Sequence, residues 1–435
     1  MWKYVLAPAV LMLTPVAEAA GTTHYLTIGF QAGSQVSAAN VDEILSAANR
    51  IIATSDFPDD FPCRELTFVR KGAPEEIPAA LKLPEIVNSE DQFFMYRHSP
   101  YSVNIVSSIN WCGRFDPNFL GCAARPNGPL LLERTANNEG ALWAHEFGHT
   151  MGLSWDVDAT DHTDRVMALM RPRLGPSNTG LIETECRHLK QPSKVAQGTS
   201  GALTLVGGMP GAAASGNNKP APASSSTATD SVSGLLGETW AHGLPYPELQ
   251  KLTDGQIQEI RGVLAGEPNP LWPNAVLALG VRGNREDFTA LRRVLEFSAP
   301  PDDLVISTAK HNVPIAVGYL AGRTGSKEMF DFLRNNYNPN KTIRYFDGTI
   351  SSAISNSQRF AVAAAIGLAY SGGKNEIRPL QMDALKDLEY SVSRGAFNLG
   401  VGQSFFSTLR EISAQVNEIG IDAYLAKSTS GSPNP

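Results

Sequence analysis

Apolar and polar positions along this chain follow two rhythms. The run Tyr25-Leu26-Thr27-Ile28-Gly29-Phe30 is short and β-prone, whereas Ala39 to Ala53 carries Val41, Ile44, Leu45, Ala48, Ile51 and Ile52 at helical spacing. Leu66 to Val69, Val103 to Ile109 and Pro129 to Glu133 read as further strands, and Ala136 to Gly152 as a helix. Strand, helix, several strands and a last helix make a mixed order, not a regular βαβ array, so an α+β module is expected over residues 21–193.

From Lys194 to Gly237 large apolar side chains nearly vanish. Stretches such as Gly207-Gly208-Met209-Pro210-Gly211 and Pro220-Ala221-Pro222-Ala223-Ser224-Ser225 cannot bury enough surface to offset the entropy of ordering, which predicts a linker over 194–237. Beyond it, over 238–427, the spacing is helical and repetitive, with a short polar tail at 428–435. Small-residue helices run into glycine turns, and a G-x-x-E step (Gly283/Glu286, Gly325/Glu328, Gly373/Glu376) opens the next helix. The step recurs about every 45 residues, near the two-helix unit of HEAT-like repeats, with an irregular helical bundle as the alternative. Thr253 to Gln256 reads as a capping box. Stacked helix pairs offer a concave surface for a protein partner, and the competing role is passive stabilisation. His242 and His311 stand apart from any ligand pattern.

Residues 1–20 read as a secretory signal, with Lys3, an apolar Tyr4 to Val16 and the small-residue site Ala17-Glu18-Ala19. That apolar run is short and broken by Pro8 and Pro15, so no membrane span is expected once the signal is removed. The expected destination is periplasmic or secreted. A net charge of −7 with scattered basic residues gives no nucleic-acid footprint. Four cysteines, Cys63, Cys112, Cys122 and Cys186, in an exported chain point to two disulfides. Of the three connectivities we favour Cys112–Cys122 as a local staple, which leaves Cys63–Cys186 to tie distant parts. A thiolate zinc site is disfavoured because no C-x-x-C pair is present.

The chemistry concentrates in Ala144-His145-Glu146-Phe147-Gly148-His149-Thr150-Met151-Gly152. Histidines four apart lie on one helix face, one turn above the other, where both imidazoles can meet one zinc ion. Glu146, beside the first, is placed to take a proton from a water activated there. H-E-x-x-H is a specific pattern in a chain with only eight histidines.

Residues 22–190 resemble the metzincin zinc endopeptidases, on His145, Glu146, His149, Gly152 and Val166-Met167, the last standing where a Met-turn is expected. The resemblance implies a twisted mixed sheet above the motif helix, zinc as cofactor, Glu146 as general base and Met167 as an apolar floor beneath the metal. It also implies a peptide substrate pairing with an exposed edge strand, for which Gly128 to Glu133 is the candidate. One position departs from the pattern. The third ligand should stand three residues after Gly152, and Trp155 is there, whose indole N–H only donates. His162 supplies the better imidazole, Asp156 needs a one-residue slip, Asp158 and Asp161 lie in the same loop, and a site with no third protein ligand is the remaining alternative. A downstream glutamate, Glu183 or Glu185, is disfavoured by Gly152 and the Met-turn. The expected function is an exported zinc endopeptidase that cleaves a peptide or protein substrate. The contrasting expectation, which Trp155 favours, is a pseudoprotease that binds proteins through its cleft or repeats.

Overall fold

A computed structural model describes residues 22–151 apart from 33, 35, 54–62, 64–65, 114 and 124–127. It also describes scattered positions from 153 to 190, 231–298 apart from 242, 303–336, scattered positions from 386 to 393, and 403–424 apart from 421–422. In chain order the first part runs β1 (Thr22–Leu26), β2 (Ile28–Phe30), α1 (Ala38–Ala53), β3 (Leu66–Arg70), β4 (Glu75–Glu76), β5 (Ile86–Val87) and α2 (Glu90–Met95). It continues through β6 (Val103–Val106), β7 (Ser108–Trp111), β8 (Phe115–Phe119), β9 (Gly121–Ala123), β10 (Leu130–Glu133) and α3 (Glu139–Thr150).

Two apolar runs that read as single strands each divide between sheets. At Thr27 the ladder is interrupted by side-chain pairing: the Ser102 N–H donates to Thr27 Oγ1 (2.9 Å) and the Thr27 N–H to Ser102 Oγ (3.0 Å). Residues before the break pair with β3, and residues after it pair with β6. Ser107 breaks the second run, because its N–H donates to the Glu85 carbonyl at 3.0 Å and its hydroxyl to the Glu85 carboxylate. The central sheet has the order β4-β2-β6-β10-β9, parallel except for β9, which runs antiparallel to β10. A small sheet β5-β7-β8 and the parallel pair β1-β3 flank it.

The stripe on α1 does what its spacing predicts: Val41, Ile44, Leu45, Ala48 and Ile52 are buried, while Ile51 is partly exposed. They pack with Leu142, Phe147, Val103 and Ile105 in one core, each large side chain contributing about 1.5–3 kcal/mol. Both favoured disulfides form. Cys112–Cys122 staples β7 to β9, and Cys63–Cys186 closes a separation of 123 residues.

The second part is helical. Trp272–Arg282 ends at Gly283 and Leu304–Thr324 at Gly325, whose φ of 65° is the left-handed cap that glycine adopts most readily. Asp287–Glu296 and Lys327–Asn336 follow those turns, so the first two G-x-x-E steps open helices as expected. The Gly373 step lies outside the described residues. The Thr253/Gln256 capping box forms, with side chain and backbone bonded both ways. The segment expected to be linker through Gly237 ends instead in a short helix, Val232–Leu236. Its Val232, Leu235 and Leu236 are buried in the helical core, an apolar triad that the surrounding Gly/Ser composition obscured. Residues 1–20, 191–230 and 428–435 lie outside the described residues.

The two parts touch directly. Thr239 forms an antiparallel bridge with Leu174, Asn118 Nδ2 donates to Tyr319 Oη (3.2 Å), and Asn137 Nδ2 to the Pro270 carbonyl (2.8 Å). His311, which stood alone in the sequence, lies 3.8 Å from the Glu133 carboxylate at the end of β10. Among the described residues no helix is long and apolar enough to cross a membrane. The architecture is thus a mixed α/β part followed by a helical part.

Candidate metal centre

Helix α3 begins where the sequence changes from polar turn residues to the motif. Asn138 caps it in the left-handed conformation (φ 50°), tolerable for asparagine. Its Nδ2 donates to the Leu174 carbonyl at 3.1 Å and the Gly237 carbonyl at 3.3 Å, which ties the helix start to the second part of the chain. Glu139 in the first turn suits the positive helix end and meets Arg134 at 2.6 Å. Burial holds its carboxyl above the ordinary range, and Arg134 pulls the other way. Every residue from Gly140 to Thr150 is buried. Gly140 lets the helix approach α1, since a Cβ there would stand 2.9 Å from the Ala48 backbone nitrogen. Two turns further along the same face, Phe147 packs edge-on against Phe68 at 4.8 Å.

His145 and His149 present Nε2 to each other at 3.1 Å, with rings perpendicular. Their Nδ1 atoms face main-chain carbonyls, Leu169 at 2.8 Å for His145 and Leu153 at 3.2 Å for His149. A carbonyl only accepts, so each Nδ1 carries the hydrogen, and in the neutral imidazole each Nε2 then carries a lone pair. Two lone pairs at that distance repel unless a cation lies between them. Zinc bound at about 2.0–2.1 Å by two nitrogens at a tetrahedral angle would separate them by about 3.3–3.4 Å. The observed spacing is within a few tenths of an ångström of that chord. The carbonyl partners also fix ring orientation as the outer partners of metal-bound histidines do. The donor set therefore fits a divalent ion that accepts imidazole.

Glu146 completes the cluster. Ligand atoms of His145, Glu146 and His149 all lie within 4.8 Å of one another, and all three residues are at most 1% exposed. Its carboxylate lies against Gly121 of β9, where an added Cβ would stand 2.5 Å from the Glu146 Cδ.

Of the expected site residues, His145, Glu146 and His149 converge. His162 lies outside the described residues, as do Asp156, Asp158, Asp161, Trp155, Gly152, Met167, Glu183, Glu185 and His242. One expectation is corrected. The Gly128 to Glu133 segment is no edge, because β10 is paired on both sides, with β6 and with β9. On that side the outer strand is β9, three residues with Cys122 at the centre, too short to stand out as a strand in the sequence.

Sequence reasoning missed four contributors. Leu169 and Leu153 act through their carbonyls, which side-chain identity does not reveal. Met170, fully buried, packs beneath the motif helix, its Sδ 2.6 Å from where a Cβ on Gly148 would stand. Met167, the methionine to which the resemblance points, lies outside the described residues. Gly121 carried a faint signal, since a glycine within a strand marks close approach of another group. Comparison with known proteins finds no matching family model, no matching curated protein and no matching solved structure.

Proposed function

We propose that this chain is an exported zinc-dependent endopeptidase whose metal is held by His145 and His149, with Glu146 as general base. The observation that carries the reading is the pair of lone-pair-bearing Nε2 atoms 3.1 Å apart, each imidazole oriented by a main-chain carbonyl, with a carboxylate beside them. His162 is the proposed third ligand, with Asp156 as the competitor. When bound, zinc supplies Lewis acidity and brings the pKa of a coordinated water near 7. With such a metal held by His145 and His149, Glu146 would accept a proton from the nucleophilic water and hand it to the departing amine nitrogen. The Leu169 and Leu153 carbonyls keep both imidazoles in the tautomer that binds metal. Two disulfides suit an oxidising compartment and so support export. The helical part is proposed to carry a HEAT-like face for a protein partner.

A second reading, a pseudoprotease that binds proteins without cleaving them, is favoured by one observation: His145, Glu146 and His149 are at most 1% exposed, as in a closed structural site. Zinc stoichiometry and casein cleavage by the full chain separate the two, with Glu146→Gln as control. The endopeptidase reading expects one zinc per chain and a loss of about 10²–10⁴-fold in kcat for Glu146→Gln with zinc retained. Zinc without hydrolysis selects the second reading. A chain that holds no zinc after incubation with excess metal overturns the metal-binding role of the histidine pair and, with it, the endopeptidase reading.

A further inference from the structure

We propose that Gly121 is a positioning residue for Glu146, setting the place of its carboxylate through the absence of a side chain on the outer strand. The role rests on the reading of Glu146 as general base. Gly121 is in β9, opposite Leu132 of β10, and the Glu146 side chain lies directly on it. A Cβ at Gly121 would stand 2.5 Å from both Cγ and Cδ of Glu146, and closer still to Oε1. Carbon atoms reach their best contact near 3.5–4.0 Å, so one partner would have to move by about 1 Å.

Which partner moves follows from what holds each. The strand is clamped on both sides of Gly121. Cys122, the next residue, is bonded to Cys112 and pairs with Leu131. Leu120, the preceding residue, accepts the Glu133 N–H at 2.8 Å and donates its own N–H to the Ala241 carbonyl at 3.2 Å. The atoms that an extra methyl meets are the end of a side chain with three rotatable bonds. Glu146 therefore yields while β9 stays. The histidines are untouched, because their orientation comes from Leu169 and Leu153. The structure thus separates holding the metal from placing the base. The first lies within α3 and the two carbonyl partners, and the second lies between α3 and β9.

A structural role alone would lower stability and leave the kinetic constants of the folded fraction unchanged. A positioning role predicts a specific kinetic split. In Gly121→Ala, zinc stoichiometry and KM stay at wild-type values and kcat falls about 10²-fold, the scale for a misplacement of about 1 Å. Shortening the acid restores room: Glu146→Asp lowers kcat in the wild-type background and raises it in the Gly121→Ala background. The contact itself is read without activity, in metal-free protein. Gly121→Ala lowers Tm when Glu146 is present, and the shift disappears in a Glu146→Ala background, because coupled neighbours depart from additivity. Equal kcat for wild type and Gly121→Ala, or a Tm shift that persists in the Glu146→Ala background, overturns the role. A wild-type chain without zinc-dependent hydrolysis overturns the functional reading, and the positioning role falls with it. An active wild type with an equally active Gly121→Ala overturns the positioning role alone.

Discussion

Gly148 stands directly over Met170: a Cβ on the glycine would lie 2.6 Å from the methionine sulfur and 2.9 Å from its methyl carbon. Gly148 separates the motif histidines along α3, and Met170 follows Leu169, whose carbonyl orients His145. The bare helix face at Gly148 thus lets the 169–170 segment approach closely enough to hold an imidazole. Gly148→Ala is expected to push Met170 outward and lengthen the His145–Leu169 hydrogen bond. Loss of an outer-shell partner of this kind costs about 10–100-fold in metal affinity. Competition titration of zinc against a chelator reads the effect. Gly148→Ala/Met170→Ala, which returns the space, is expected to recover most of the affinity, and no recovery would place the defect in the helix itself.

The two disulfides differ in what they constrain. Closing a separation of 123 residues removes far more unfolded-state entropy than closing one of 10. The chain-entropy relation gives about 4.9 kcal/mol for the first and about 2.7 kcal/mol for the second. Replacing Cys63 and Cys186 by alanine should therefore cost about 2 kcal/mol more than replacing Cys112 and Cys122. Urea unfolding of the two double variants measures the difference. Equal midpoints would show that residual structure in the unfolded chain already holds the longer loop together.

What the sequence revealed, and what it hid, follows one physical division. Features set by local spacing were legible: the α1 stripe, the α3 motif, the Thr253/Gln256 capping box and the glycine stops at Gly283 and Gly325. The histidine pair was legible because two residues four apart on a helix must share a face. Features set by backbone atoms or by contacts across the fold were not. Strands β1 and β2 look like one run because the interruption comes from Ser102, 75 residues from Thr27. The Leu169 carbonyl could not be read from its residue type, and the packing of Met170 against Gly148 joins residues whose approach spacing alone leaves open. The outer strand was misplaced because a position immediately before the motif helix does not reveal how a strand's edges pair, although Leu130-Leu131-Leu132 is strongly apolar. That apolar character belongs to a strand buried on both faces and paired on both edges.

In the helical part, Gly280 lies against the main chain of the neighbouring helix, so a Cβ there would stand 2.5 Å from the Ala316 Cα. Neither partner has a flexible end that can move aside. Gly280→Ala should force Trp272–Arg282 away from Leu304–Thr324 and cost about 1–3 kcal/mol or more. Its gain in helix propensity, about 1 kcal/mol, is too small to reverse the sign. The outcome is a lowered Tm, seen by circular dichroism at 222 nm. Zinc affinity should be unchanged, because the site draws on α3 and its carbonyl partners. A Tm at or above wild type would mean that the two helices separate without loss.

His24 makes the stability of the first part depend on pH. It is 2% exposed, packs on Phe147 with ring centroids 4.8 Å apart, and its Nε2 donates to the Leu189 carbonyl at 2.6 Å. Burial pushes its pKa below the ordinary histidine value of 6.5, outweighing the hydrogen bond to Leu189, which pulls it upward. With the folded pKa depressed, protonation favours the unfolded chain. The stabilisation is complete above about pH 6.5 and is lost as pH falls from there through the folded value. A chain whose His24 is replaced by Gln keeps a side-chain donor but cannot charge. The expected outcome is that Tm drops between pH 7.5 and pH 5.5 in wild type and drops less in His24→Gln. Because Phe147 belongs to the motif helix, the same acid shift should loosen zinc binding in wild type more than direct protonation of His145 and His149 alone accounts for. Zinc titrations on both chains at the two pH values isolate that excess. Identical Tm profiles for wild type and His24→Gln would show that the acid sensitivity arises elsewhere in the fold.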